Sequence, residues 1–197
     1  ESAEYSEAKR LIDYSYTAQP TSTVIGVMLP LETNSDGEYN NQPAAEILEG
    51  IKFAVDEFNK LRKDKIGLII RDTKKDINEI IKIKEEFASL NSIIAIVGPI
   101  FSNEVRATLE EFEDYDIPII SPTATDDDLT RLNHHFFQAN PSFSVRGKLM
   151  AQYVFYVENK RTVSVMNSIE GYSPILAGSF IEEFESLGGR VLKKTSF

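Results

Sequence analysis

Two neighbouring stretches decide the fold: "IAIVGPIFSNEV" at residues 94–105 and "IPIISPTATDDDL" at residues 117–129. Each begins as a short apolar run and then changes to small and hydroxyl-bearing residues of the kind that start helices. A short apolar run with such boundaries is typical of a strand buried on both faces of a sheet. Both stretches therefore predict a strand that ends shortly before a helix begins.

Strand and helix patterns alternate along the chain from Thr23 onward. Each predicted strand is followed by a segment with apolar residues three and four positions apart, which is the period of an amphipathic helix. The predicted strands are 23–30, 65–72, 92–99 and 116–122. Such alternation predicts an α/β fold with a doubly wound parallel sheet. After the fourth strand we expect a helical turn with a loop at 123–135 and a short extended segment at 136–141.

A second, shorter alternation follows residue 141. It predicts a helix, a strand at 161–167, a helix closed by Gly188 and Gly189, and a last strand at 190–197. Two strands cannot complete a doubly wound sheet, so we expect this second lobe to be incomplete. Its uncovered strand edges would favour a homodimer.

These patterns divide the chain into three predicted segments. Residues 1–20 form a short amphipathic helix that stops at Pro20, and this helix either docks on the body or ends a preceding helical-repeat module. Residues 21–140 form the first α/β lobe. Residues 141–197 form the beginning of a second α/β lobe.

Composition excludes several classes of function. The chain has 197 residues, a formal net charge of −10 and no cysteine. An acidic balance argues against nucleic acid and anionic membranes as partners, because both attract clustered Lys and Arg. The absence of cysteine excludes disulfides and thiolate metal sites. The N-terminus lacks the basic and apolar regions of a signal peptide, so the protein is either cytosolic or has lost a leader.

Residues that would carry catalysis have simpler explanations. His134 and His135 lie together in a polar loop with no nucleophile motif nearby, and a solvated pair explains them. Asp126, Asp127 and Asp128 would point in different directions on a helix, and acids are common in a first helical turn. Nucleotide-binding and serine-hydrolase motifs do not occur. We expect neither catalysis nor a cofactor.

The predicted strand ends are the candidate binding site. In an open parallel sheet, ligands bind beyond the carboxyl ends of the strands, where the strand order reverses. Helix N-termini there offer N–H groups and a positive dipole end to an anion such as a carboxylate. Ser102 and Thr125 are the best candidates from the residues alone. The alternative for each is an ordinary helix cap.

Over residues 23–197 the order and spacing of these segments resemble a known family. The segments are "IGVMLPL", "EGIKFAVDEFN", "RDT", "IIAIVGPIFSNEV", "IPIISPTATDDDL", "FFQANPS", "GKLMAQYV" and "EGYSPILAGSFIEEFESLGGRV". Together they resemble the type I periplasmic binding proteins, specifically the leucine/isoleucine/valine-binding and related extracellular ligand-binding receptors. The resemblance implies two lobes of similar fold, joined by three crossovers, that clamp a small ligand.

The resemblance also implies a set of ligand-binding residues. The residues that follow the third and fourth strands would hold the α-carboxylate and ammonium of an amino acid, and an aromatic of the second lobe would close over it. By position these are Ser102, Asn103, Thr123 through its backbone, Ala124, Thr125 and Tyr172. The loop after the first strand is longer and more polar than is usual in the family. Ligand contacts by Tyr39 or Asn41 in it therefore stay open.

The function implied by the resemblance is solute binding outside the cytoplasm, in the periplasm or at the cell surface, with or without a lipid anchor. The partners would be an amino-acid-like ligand and a membrane permease for ABC-type uptake, or a sensing system. The alternative is an interaction module of the same fold in envelope assembly, like the lipoprotein activators, with a degenerate cleft. A small-molecule enzyme on a flavodoxin-like sheet is a more distant alternative.

Overall fold

Residues 23–197 are described by a computed structural model, in which the chain divides into two units. Unit one contains the described residues up to Ala124 together with Asp128–Ala139. Unit two contains Thr125–Asp127 and Asn140–Phe197. The helix predicted at residues 1–20 lies outside the described residues.

Unit one is built on a parallel sheet of five strands in the order β2-β1-β3-β4-β5. The strands are β1 (Thr23–Leu29), β2 (Ile66–Asp72), β3 (Ile93–Val97), β4 (Ile119–Ser121) and β5 (Phe136–Gln138). The predicted doubly wound α/β fold is confirmed. The extended segment predicted at 136–141 is in fact the fifth strand, with Phe136 paired to Ile119. Three residues are too few for a periodic pattern to identify a sheet strand.

Within the described part of unit one, four helices accompany this sheet: α1 (Gln42–Leu61), α2 (Ile77–Ala88), α3 (Ser102–Glu111) and the short α4 (Leu129–Leu132). Side chains fix where the first two begin. The Asn41 side chain accepts a hydrogen bond from the Ala44 N–H at 3.4 Å, and Asp76 accepts one from the Asn78 N–H. Asn41 is therefore the N-cap of α1, which gives this buried residue a structural role.

Helices cover both faces of the sheet, so the core has two parts. Alternate residues of β1 point to opposite faces: Val27 and Leu29 pack with α1, whereas Met28 packs with α2 and α3. All three are fully buried. Burial on both faces explains why this strand reads as a continuous apolar run rather than an alternating one.

Unit two begins with α5 (Phe143–Gln152), which continues into a π-helical segment at Tyr153–Val157. Strand β6 (Thr162–Asn167), helix α6 (Ser173–Ser186) and strand β7 (Arg190–Ser196) follow, and the two strands pair in parallel. Helix α6 ends as predicted, with Gly188 in the left-handed region at φ 91°. The close approach of α5 to α6 occurs at Gly147, where an added Cβ would lie 2.4 Å from the Leu176 carbonyl oxygen.

Candidate functional site

The strand order places a topological switch point in unit one. Strand β1 has β2 on one side and β3 on the other, so the chain reverses its direction across the sheet between β1 and β3. Helix α1 covers one face, and α2 and α3 cover the other. In open α/β sheets, ligands bind in the crevice beyond the carboxyl ends of the strands at this point. Ser102, at the start of α3, follows one of the two strands that form it.

The loop that leads from β3 into α3 passes against the backbone of β1. Gly98 has φ 105°, and a Cβ added there would lie 1.9 Å from the Met28 carbonyl oxygen. Its N–H donates to the Ile120 carbonyl at 2.8 Å. Because only glycine fits this approach, Gly98 brings the start of α3 close to the switch point.

Two hydroxyl side chains that follow β4 hold the loop that leads from β3 into α3. The Ser121 hydroxyl donates to the Pro99 carbonyl at 2.7 Å, and the Thr123 hydroxyl donates to the Ile100 carbonyl at 2.7 Å. The Ala124 N–H donates back to the Ser121 oxygen at 3.3 Å. The hydroxyl side chains after β4 therefore fix the loop after β3. Nothing in the sequence singled out Ser121, although a serine that ends a buried strand needs a hydrogen-bond partner.

Ser102 is the first residue of α3 rather than its cap. The Phe101 carbonyl accepts the first helical hydrogen bond, from the Val105 N–H at 2.9 Å, so Phe101 occupies the N-cap position. The interpretation of Ser102 as an ordinary cap is therefore wrong. In an α-helix the N–H groups of the first turn have no acceptor within the helix, and they carry the positive end of its dipole. This end of α3, with half-buried Ser102 and exposed Asn103, suits an anion.

The predicted residues after β4 have different surroundings. Ala124 as a whole residue is 1% exposed and belongs to the core, and its N–H already donates to Ser121. Its carbonyl accepts from the Gln138 side chain at 2.9 Å. Thr123 is exposed, and its hydroxyl bonds to the loop after β3.

Unit two joins Thr125 and Tyr172 through a residue that the sequence did not suggest. The Thr125 carbonyl accepts from the Phe143 N–H at 3.2 Å. The Phe143 ring stacks on Tyr172, with centroids 4.6 Å apart and an angle of 9° between the rings. The Arg146 guanidinium lies 5.6 Å from the Phe143 centroid. Tyr172 remains 59% exposed, so its ring has area available for a further contact.

The three consecutive aspartates precede α4 instead of lying in its first turn, so the expected helical placement is wrong, but two of them do have separate partners. Asp127 accepts hydrogen bonds from the Ser144 N–H and hydroxyl within unit two, whereas Asp128 pairs with Arg106 at 2.8 Å within unit one. The Arg106 guanidinium lowers the pKa of Asp128. Within residues 23–197, no three His, Cys, Asp or Glu side chains are grouped so that they could hold a metal ion.

The loop after β1 is fixed by the last residue of β2. Asp72 accepts hydrogen bonds from the Thr33 N–H at 2.9 Å, the Glu32 N–H at 3.2 Å and the Lys74 N–H at 2.9 Å. One carboxylate thus holds the turns after two neighbouring strands. Tyr39, in the same loop, is bridged to Thr33, and burial raises the pKa of its phenol.

With this geometry in place, comparison with known proteins decides the family. The family model described as the receptor family ligand binding region matches residues 46–197. The chain belongs to this family. Its fold is that of the type I periplasmic binding proteins, and the resemblance found in the sequence is confirmed.

Three solved structures illustrate the similarity. A putative branched-chain amino acid ABC transporter protein from Rhodospirillum rubrum superposes with a TM-score of 0.78 at 20% identity, over 88% of this chain and 49% of that one. The substrate-binding protein LivJ from Streptococcus pneumoniae, solved with isoleucine, has a TM-score of 0.61 at 25% identity, over 89% and 49%. A solute-binding protein from Rhodopseudomonas palustris, solved with 3,4-dihydroxybenzoic acid, has a TM-score of 0.63 at 14% identity, over 88% and 47%.

The chain spans about half the length of these solved structures. None of the curated proteins matches it. Across residues 23–197, no helix combines the length and apolar character that a bilayer crossing requires.

Proposed function

We propose that this chain is part of an extracytoplasmic solute-binding protein that binds an amino acid or a related carboxylate and carries out no catalysis. The observation that carries the proposal is the position of the first turn of α3 at the β1/β3 switch point. The hydroxyls of Ser121 and Thr123 hold the loop that leads to this turn. A fixed set of amide donors is what binding of a small anion requires.

A carboxylate is the part of the ligand that the residues support best. Ser102 supplies a hydroxyl and a backbone N–H at the positive end of α3, and Asn103 lies beside it. The ligands of the Streptococcus pneumoniae and Rhodopseudomonas palustris proteins, isoleucine and 3,4-dihydroxybenzoic acid, differ in shape and share a carboxylate. Thr123 and Thr125 complete the proposed set, with Ala124 as the buried residue between them.

Tyr172 is the proposed second-lobe contact. Stacking on Phe143 orients the ring while more than half of the side chain stays exposed. In solute-binding proteins, closure around the ligand is a hinge movement of the lobes. We infer that Tyr172 covers the apolar side chain of the ligand when this movement occurs.

Thermal unfolding with and without ligand tests the proposal. L-Leucine, L-isoleucine and 3,4-dihydroxybenzoate are the probes, and a ligand at a hundred times its dissociation constant should stabilise the folded chain by about 2.7 kcal/mol. Ser102→Ala and Thr125→Ala should reduce the shift. Thr130→Ala, which removes an exposed hydroxyl of unit one, is the matched control and should retain it. The absence of a shift with every carboxylate would count against the proposal.

The proposed setting follows from this function. We infer a location in the periplasm or at the cell surface and a membrane permease as the partner in ABC-type uptake. Co-purification of the full-length protein with its neighbouring permease in the presence of L-leucine would test the partnership. A protein that remains in the cytoplasmic fraction after expression in its host would contradict the location.

An interaction module of the same fold in envelope assembly is the second candidate. It is favoured by an apolar surface on α5 and the π-helical segment, which we call the α5 surface. Leu149, Met150, Tyr153, Tyr156 and Val157 form it, and each is at least 50% exposed. Exposed apolar area of this kind marks contact surfaces for proteins. Binding of an envelope protein without any response to carboxylates would favour this candidate.

A further inference from the structure

Glu104, the third residue of α3, is buried to an unusual degree for a glutamate. It is 4% exposed, and it lies two positions after Ser102 in the turn that we propose binds the ligand carboxylate. Glutamates are almost never buried to this extent unless they are paired. No basic side chain of the described residues forms an ion pair with Glu104; the nearby Arg106 pairs with Asp128 instead.

Its hydrogen bonds are incomplete. The Thr73 hydroxyl donates to Glu104 Oε1 at 2.7 Å. The second oxygen, Oε2, is buried and has no partner among the described residues, and the same is true of the Thr108 hydroxyl one helical turn later. Thr108 lies four positions after Glu104 and therefore on the same face of α3.

The Thr73 bond reaches across the switch point. Thr73 follows β2, and its N–H donates to the Leu29 carbonyl at the end of β1. Glu104 follows β3 on the other side of β1. The bond between their side chains therefore joins the two sides of the crevice and fixes the first turn of α3 relative to the ends of β1 and β2.

The charges around Glu104 disfavour a carboxylate. Burial raises the pKa of Glu104, and the Thr73 hydrogen bond and the Lys75 charge lower it less. Asp72 and Glu32 are the acidic groups that act on it. The Lys75 ammonium lies 2.7 Å from a Glu32 carboxylate oxygen, so its charge is not dedicated to Glu104. An ion buried without a dedicated partner is costly, whereas a neutral acid can donate one hydrogen bond and accept another.

We propose that Glu104 is a positioning residue that holds the start of α3 across the switch point as an uncharged carboxylic acid. Its carbonyl oxygen Oε1 accepts from the Thr73 hydroxyl, and the proton on Oε2 removes a buried negative charge that has no partner among the described residues. The consequence for ligand binding rests on the proposed function. While Glu104 is neutral, the positive end of α3 acts on the ligand carboxylate. Release of the proton to solvent places a negative charge two residues from Ser102 and weakens that attraction.

The sign of the pH effect follows from the direction of the shift. An acid whose pKa is raised by folding stabilises the folded state most below its unfolded pKa, and that stabilisation is lost as pH rises through the folded pKa. As the pH rises above the ordinary pKa range of a glutamate, the unfolding free energy of the wild type should therefore fall. Glu104→Gln keeps the shape and hydrogen bonds of the neutral acid, so it should match the wild type at low pH and exceed it at high pH.

Urea unfolding of the whole chain from pH 5 to 9 tests this. Glu104→Gln should remove the decline that the wild type shows, and Glu110→Gln, an exposed carboxylate on the same helix, should leave it unchanged. Glu104→Ala, which leaves Thr73 without its acceptor, should be less stable than Glu104→Gln throughout. Equal losses of unfolding free energy in Glu104→Gln and Glu104→Ala would overturn the proposal. So would the same dependence of unfolding free energy on pH in Glu104→Gln and the wild type.

A measurement that needs no ligand separates this inference from the proposed function. The ¹⁵N–¹H resonance of Ser102 should titrate in the wild type with a midpoint above the usual range of a glutamate, and it should not titrate in Glu104→Gln. L-Leucine affinity should fall over the same interval in the wild type only. A Ser102 resonance that titrates in a chain without affinity for L-leucine would support the role of Glu104 and contradict the amino-acid ligand. A resonance that does not move would overturn the role of Glu104.

Discussion

At the scale of single residues, Gly98 is the position where the backbone leaves least room. Gly98→Ala would place a Cβ against the Met28 carbonyl at a backbone angle that L-residues rarely adopt. Strain of this kind costs about 1–3 kcal/mol, and overpacking adds a similar amount. Urea unfolding should show the combined loss. Gly50→Ala is the matched control, because nothing lies within 4 Å of its added Cβ on α1; it should be neutral or slightly stabilising. Similar stability for both variants would contradict the close approach.

Ser121 is the second residue whose contribution can be measured alone. Ser121→Ala removes the donor to the Pro99 carbonyl and the acceptor of the Ala124 N–H in a fully buried place. Unsatisfied buried groups cost about 1–3 kcal/mol, so the variant should unfold at lower urea. Ser186→Ala, an exposed hydroxyl on α6, is the control. Any carboxylate affinity should fall in Ser121→Ala, since the loop before α3 loses a hydrogen bond. Unchanged stability and affinity would show that this hydroxyl does not hold the loop.

A role in the candidate site could be predicted for residues that a local sequence pattern marks. It could not be predicted for residues whose contact partners lie far away in the sequence. Ser102 and Thr125 could be named as candidates because small polar residues after an apolar run mark the end of a strand. Thr73 contacts Glu104 across 31 positions of sequence, and no local pattern indicates such a pair. Phe143 likewise lies 29 positions from Tyr172. The sequence therefore indicated which chain segments form the candidate site but not the side chains that hold them.

At the scale of elements, the contact between α5 and α6 depends on Gly147. A methyl group there would lie 2.4 Å from a backbone oxygen of α6, which cannot move without displacing the helix. Gly147→Ala should therefore destabilise unit two by about 1–3 kcal/mol. Hydrogen exchange of α5 and α6 amides would localise the loss. Gly178→Ala, within α6 but open to space, is the control and should be stable. Equal protection of these amides from hydrogen exchange in Gly147→Ala and Gly178→Ala would contradict the prediction.

Element prediction succeeded where a periodic pattern was long. The 20 residues of α1 and the seven of β1 carry clear helical and buried-strand patterns. Strand β5 has three residues and is recognisable as a strand only from its pairing with β4, which no local sequence pattern indicates. The π-helical segment at Tyr153–Val157 also continues an apolar period without a break, so nothing in the sequence distinguishes it from α-helix.

At the scale of the whole molecule, the α5 surface predicts self-association. Leu149 and Tyr156 are 54% and 63% exposed, and their burial between two copies would remove apolar area from water. We expect concentration-dependent dimers in light scattering. Leu149→Glu with Tyr156→Glu should give monomers, while Glu110→Lys, in unit one, should not. A wild-type monomer at high concentration would contradict the homodimer.

Asp72 makes the loop after β1 a place where new recognition could be engineered. Among residues 23–197, its hydrogen bonds come from the backbone N–H groups of Glu32, Thr33 and Lys74, and every residue except proline has such a group. The path of residues 32 and 33 is therefore largely independent of their side chains, whereas the Asn34 side chain holds the following turn by accepting from the Asp36 N–H at 3.0 Å and the Glu38 N–H at 2.9 Å. Glu32, at φ 51°, is best kept or replaced by asparagine or glycine. A library with varied side chains at positions 35, 36 and 38, with Asp72, Asn34 and Gly37 unaltered, should yield folded proteins with different selectivity.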